Sequence, residues 1–285
     1  MNKHLKGVTL AIIGVLIITP DTLIIRLVDI DPWSFLFWRG LLYGIGMLLV
    51  LSVVYRQRLP AKIWAIGWLG VGLIVMHALV NVAFQVSVQT TTVANTLVIL
   101  ATSPMFAALL GWAVLREKVP LRTWGAMFLC LVGIVVIFVG QLGTLSLAGD
   151  LLAVAAAAGL GFQFVLVRHA APVDMVPAIA LSGFLTAVIG FTLGANLYLP
   201  PDKFYLTAFL GLLLLPTAMI LLTIAPRMAP AAEVSLIMLL ETVLGPLWVW
   251  LGIGEEPSAQ TLVGGAVVLL TLAGHTVLGA RDKSG

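Results

Sequence analysis

The chain has 285 residues, of which 61% are hydrophobic and only 9% charged; soluble domains carry about a quarter charged residues. No soluble surface can be built from this composition, which places the chain in lipid. The formal charge of +3 and the single cysteine, Cys130, give no basis for nucleic-acid binding, an intrachain disulfide or a Cys-based metal site.

Runs of ~20 apolar residues, long enough to cross the hydrocarbon as helices, recur between short polar or Pro-containing breaks. Ten spans are predicted, at 7–27, 33–55, 63–86, 92–115, 121–140, 149–167, 176–197, 204–225, 231–252 and 260–280. Lys3, His4 and Lys6 precede the first. It lacks a small-x-small cleavage site and reads as a retained helix, not a signal peptide. In that span Asp21 follows Pro20, where a kink is expected. Asp21 lies five residues below Arg26, and Arg39 of the second span six below Trp33. Both are thus ~8 Å inside the outer boundary, which predicts an ion pair, structural or gating.

The third span contains "HALVNVAFQ" (77–85). His77, Asn81 and Gln85 recur every fourth residue, about 400° apart on a helix, and fall on one stripe with Phe84. The stripe reads as the wetted face of a pathway; the alternative is interhelical hydrogen bonding, worth ~0.6 kcal/mol on average. In the sixth span Gln163 takes the place equivalent to Asp21, near the cytoplasmic side, within the small-residue run "AVAAAAGLGF" (153–162). Such runs, like Gly40-x₃-Gly44, permit close helix packing. The ninth span places Glu241 near the midplane with Met238 three residues before it, while Glu233 is read as solvated at the cytoplasmic mouth. An intramembrane carboxylate is a functional candidate. It can bind an amine, carry a proton or bond a neighbouring helix.

Positive charge fixes the orientation. Lys3, Lys6, Arg56, Arg58, Lys62, Arg116, Lys118, Arg122, Arg168, Arg227, Arg281 and Lys283 fall on one side, and only Arg26 and Lys203 on the other. Both termini are therefore expected in the cytoplasm, with the Glu255–Glu256 loop outside. An internal duplication is also visible. "ANTLVILATSPMFAALLGWAVLRE" (94–117) aligns without a gap to "AEVSLIMLLETVLGPLWVWLGIGE" (232–255), matching Ser103 with Glu241 and Glu117 with Glu255. The expected fold is an all-α integral membrane protein of ten transmembrane helices, in two inverted five-helix repeats at 1–144 and 145–285. Secondary transporters recurrently use that design, with the site at the midplane between repeats.

"FLFWRGLLYGIGMLLV" (35–50), the segment 79–136 and "LLETVLGPLWVWLGIGEEPSAQTLVGGAVVLLTLAGHTVL" (239–278) resemble the EamA-type members of the drug/metabolite transporter superfamily. The shared features are an Arg early in the second helix, a Pro…Glu end to the fourth and a Gly-rich fifth. The second half departs at Thr242, which replaces Pro104, and in the register of Gly264, Gly265 and Gly274. The resemblance implies a multi-pass exporter in the cell inner membrane, with bacterial amino-acid exporters, including the aromatic type, as the nearest group.

The expected function is a secondary transporter exporting a small metabolite, with an amino acid favoured, working as a monomer among membrane lipid. Its pathway residues would be His77, Asn81, Phe84, Gln85, Gln163, Met238 and Glu241, with Asp21 and Arg39 as ion pair or gate. No enzyme activity, cofactor or nucleic-acid partner is expected, and no GxxxxGK[ST] couples ATP to transport. A phosphorylated-sugar or nucleotide-sugar exchanger would want several buried cations, and only Arg39 is intramembrane. An intramembrane enzyme lacks its motif, since "ALSG" (180–183) has Ala where a rhomboid-like site has Gly. A channel would need charged rings or a repeated filter.

Overall fold

A computed structural model describes residues 3–139, 146–254 and 256–281. Among these the chain is all-helical, without strands, as expected where lipid offers the backbone no hydrogen-bond partner. Among the described residues nine helical segments are long and apolar enough to span a membrane. They are built from α1 (Lys3–Ile18) with α2 (Asp21–Val28), α3 (Pro32–Tyr55) running on into α4 (Leu59–Trp64), α5 (Gly67–Thr90), α6 (Val93–Leu100) with α7 (Ser103–Leu115), α8 (Leu121–Phe138), α9 (Leu147–His169), α11 (Pro201–Phe209) with α12 (Leu215–Ile224), α13 (Ala231–Ile253) and α14 (Ala259–Arg281). The seventh expected span is shorter than predicted: α10 (Val176–Thr192) has 17 residues. Its chain unwinds at Gly194, whose φ of 103° no helix contains. Glu255, Lys283 and the boundary expected at 144–145 lie outside the described residues.

Local sequence sets the helix ends and breaks. Asp31 caps α3, its side chain accepting from the Ser34 amide at 2.9 Å, and Pro32 fills the first helical position. Thr92 caps α6 by accepting from the Asn95 amide at 3.1 Å. The first span breaks at Thr19–Pro20 and the fourth at Ala101–Thr102, just ahead of Pro104. Proline cannot donate to the helical ladder. A π-helical segment, Leu210–Leu214, precedes Pro216 for the same reason.

The helices pack with α3 against α10, α5 against α9 and α10, α7 against α9 and α13, α8 against α14, and α1 against α12 and α13. Small residues set the closest approaches. A Cβ on Gly40 would sit 2.8 Å from the Gly183 carbonyl oxygen, and one on Gly183 2.7 Å from that of Gly40. The backbones of α3 and α10 therefore touch, as small residues allow in membranes. Gly161 meets the Ser103 carbonyl oxygen in the same way, at 2.7 Å, between α9 and α7.

Gly40→Ala should consequently lower thermal stability in detergent by ~1–3 kcal/mol through overpacking. Gly125→Ala, where an added Cβ meets nothing within 4 Å, should be neutral or stabilising by up to ~1 kcal/mol, since alanine is the better helix former. Equal effects at the two positions would contradict the assigned α3–α10 contact.

Candidate functional site

A cavity of about 220 Å³ lies at the centre of the helices, with walls from α1, α3, α5, α6, α9, α10, α12 and α13. From α5 come His77, Val80, Asn81 and Phe84, the i, i+3, i+4, i+7 pattern of a single helical face. Gln163 of α9, and Met238 and Glu241 of α13, complete the set of expected residues in the wall. Gln85 does not line the cavity. A four-residue step overshoots a full turn by about 40°, so two steps from His77 carry Gln85 about 80° off the face that Phe84 still shares.

Much of this polarity is already paired. His77 Nδ1 lies 2.9 Å from Gln163 Oε1; with an amide oxygen as partner the ring nitrogen donates, leaving Nε2 an acceptor in the neutral ring. Gln163 is 3% exposed and closes this bond across α5 and α9 at the cavity wall. Asn81 Nδ2 donates to the His77 carbonyl one turn earlier, at 2.8 Å. Glu241 differs, having no hydrogen bond or ion pair among the described residues. Asp21, 3% exposed, and Arg39 are in contact, Arg39 Nη2 donating to Asp21 Oδ2 at 2.5 Å. Arg39 also lines the cavity and stands over the Phe35 ring at 5.8 Å. Beside the break in the first span, Trp248 Nε1 donates to Thr19 Oγ1 at 2.8 Å.

The end of the molecule rich in basic residues is held by polar ties between distant segments. Arg168 donates to Glu117, and through Nη1 to the carbonyls of Pro226 and Ala229 at 3.0 and 2.9 Å. Arg227 Nε donates to the Ala171 carbonyl at 3.1 Å, and the Tyr55 hydroxyl to Asp174. Glu233 is not solvated as expected. It is 6% exposed and pairs with His4 Nε2 at 2.5 Å, because the first helix packs over the start of α13 and covers it.

Sequence reasoning missed Tyr43, Thr186 and Thr223, which also line the cavity. Tyr43 carried a signal: it follows Arg39 by four residues and so shares its helix face. Thr186 and Thr223 carried none, since only tertiary packing brings α10 and α12 to the site.

Comparison with known proteins points to transport. Residues 5–139 match the EamA-like transporter family. This chain carries an EamA-like transporter family domain. It is similar to the uncharacterized transporter YdfC of Bacillus subtilis (strain 168), with 25% identity over 241 residues, 80% of this chain and 77% of the relative. One solved crystal structure, described only as that of a protein, shares the fold with a TM-score of 0.78 over 95% of this chain and 97% of its own, at 16% identity. The EamA-like domain at 5–139 and the many apolar helices support a multi-pass membrane transporter of small molecules.

Breaking the Asp21–Arg39 pair from either side should leave a buried charge uncompensated, at a cost of ~3–5 kcal/mol. Asp21→Asn and Arg39→Gln should each lower the melting temperature in detergent, and the double variant should recover part of the loss. Strictly additive losses would contradict a direct interaction.

Proposed function

We propose that this protein is a secondary transporter that exports small zwitterionic metabolites across the cytoplasmic membrane by alternating access, with amino acids bearing apolar or aromatic side chains favoured. The observation that carries this reading is Glu241: an unpaired carboxylate in the wall of a central cavity whose lining is otherwise mostly aliphatic and aromatic. Such a group accepts from an ammonium, and the apolar wall suits an apolar side chain. Size argues the same way. Pockets for drug-sized ligands run to about 300–1,000 Å³, so a cavity of about 220 Å³ favours a small solute over a nucleotide-sugar. A phosphorylated substrate is also disfavoured, because among the described residues the single Lys or Arg of the cavity wall is Arg39, whose charge is already shared with Asp21. The names of the family and of the curated relative point to transport rather than enzymatic chemistry.

The packing supports two related halves. The third span packs on the sixth and the first on the eighth; the fourth packs on the sixth and the ninth on the first. The second packs on the seventh, the fourth on the ninth and the fifth on the tenth. Adding or subtracting five maps every one of these pairs onto another of them or onto itself, as a five-helix duplication requires. Five helices per half would invert the second half and leave both termini in the cytoplasm.

Two measurements test the reading. In proteoliposomes, Glu241→Gln should lower amino-acid counterflow roughly five- to 150-fold, as expected for losing ~1–3 kcal/mol of a buried hydrogen bond to the solute, with an unchanged melting temperature. Unchanged flux, or flux lost only in step with folding, would return Glu241 to a structural role. In a Cys130→Ala background, a cysteine at Ser146 should be labelled by an impermeant thiol reagent from outside the cell. Labelling only from the cytoplasm would overturn the inverted arrangement.

A further inference from the structure

Three hydrogen-bonding atoms of the cavity-lining residues have no protein partner: the Tyr43 hydroxyl, Thr186 Oγ1 and Arg39 Nε. Tyr43 and Thr186 are each only 5% exposed. Buried polar atoms without partners are rare in native proteins, and each calls for an explanation such as a ligand. The three residues surround one point of contact. α3 places Arg39 and Tyr43 four residues apart, hence on one face. α10 reaches α3 at Gly40, where an added Cβ would lie 3.3 Å from the Thr186 Cβ, and at Gly183, where one would lie 2.9 Å from Tyr43 Cδ1. The close approach of two glycines therefore sets Thr186 beside the α3 face that carries Arg39 and Tyr43, on the wall of one cavity. A fourth unpartnered atom, Asp21 Oδ1, belongs to the carboxylate that already holds Arg39 through Oδ2.

We propose that Arg39, Tyr43 and Thr186 form a subsite for the carboxylate of the transported solute, set apart from the amine-binding Glu241. This rests on the reading of the cavity as the transport site. A guanidinium N–H can only donate and a hydroxyl can donate, so the three together suit a solute group that accepts. An arginine N–H strengthens its bond when the acceptor is ionised, which favours a carboxylate over an amide or ester carbonyl. A phosphate dianion would bring more charge than one shared arginine balances. With Glu241 in the same cavity, the solute is an amino acid, ammonium towards α13 and carboxylate towards the α3–α10 contact.

The test is counterflow in proteoliposomes with phenylalanine, phenylalanine amide and phenethylamine as probes, for the wild type, Tyr43→Phe, Thr186→Val and the double variant. Flux is expressed per folded protein, the folded fraction being read from the melting transition. Both substitutions keep the side-chain shape and remove only a hydroxyl. The expected result is a loss of phenylalanine flux of about tenfold or more in each single variant, the size of a lost hydrogen bond to a charged group. Flux of the amide and the amine should change little. Phenylalanine flux that survives in the double variant, or equal losses for all three probes, overturns the carboxylate subsite and leaves the transport reading intact. A wild type that carries none of the three probes overturns both.

Discussion

Hydrocarbon offers no hydrogen-bond partner to anything placed in it, and the placing of each polar group in this chain follows from that. The backbone answers by being helical throughout the described residues. Where the ladder is interrupted, side chains take over. Thr19 Oγ1 donates to the Leu16 carbonyl at 2.9 Å beside the Pro20 break, and Thr102 Oγ1 to that of Ile99 at 2.6 Å beside the Pro104 break. Both breaks adjoin the cavity, whose wall includes Ile18 and Leu100, the last residues before or within a turn of them. Irregular backbone at membrane depth is tolerated where it lies inside protein or lines a cavity, and these two breaks obey that condition.

The same constraint separates the two ends of the molecule. At the basic end three polar ties run between the two halves of the chain, His4 to Glu233, Glu117 to Arg168 and Tyr55 to Asp174, beside ties inside the second half such as Arg227 to Ala171. Towards the other end Asp21 and Arg39 join α2 to α3 within the first half, while Lys203 to the Leu27 carbonyl, the Asn196 amide to Ser34 and Trp248 to Thr19 cross between the halves. Ties between halves have to part whenever the halves move relative to each other, whereas a pair inside one half need not. Any motion that opens the basic end must therefore give new partners, or water, to Arg168 and Glu233, while Asp21 and Arg39 can stay joined.

What sequence could reveal divides along the same line. Hydropathy marked the spans because a membrane helix carries its signal within its own ~20 residues. The α5 face was legible as far as Phe84 and misread at Gln85, since helical drift accumulates with each four-residue step. Pro20 announced a break, whereas the one ahead of Pro104 was not foreseen and Pro246 lies inside an unbroken α13, so proline alone does not decide. Glu233 was misjudged because its partner, His4, is 229 residues away in sequence. Thr186 was invisible because its place is fixed by Gly40 meeting Gly183, a contact between helices that no periodicity encodes.

The conspicuous polar stripe of α5 therefore changes its meaning once partners are known. His77 uses Nδ1 on Gln163 and so braces α5 against α9, while Asn81 turns its amide back onto its own helix; both shape the wall with part of their capacity already committed. Glu241, Tyr43 and Thr186 are less conspicuous in the sequence and keep theirs. A solute can gain only from hydrogen-bonding capacity that the protein has left unspent, and a polar residue in lipid is a binding group to that extent alone. On that criterion the proposed solute contacts draw chiefly on α3, α10 and α13, with His77 Nε2 the capacity that α5 keeps.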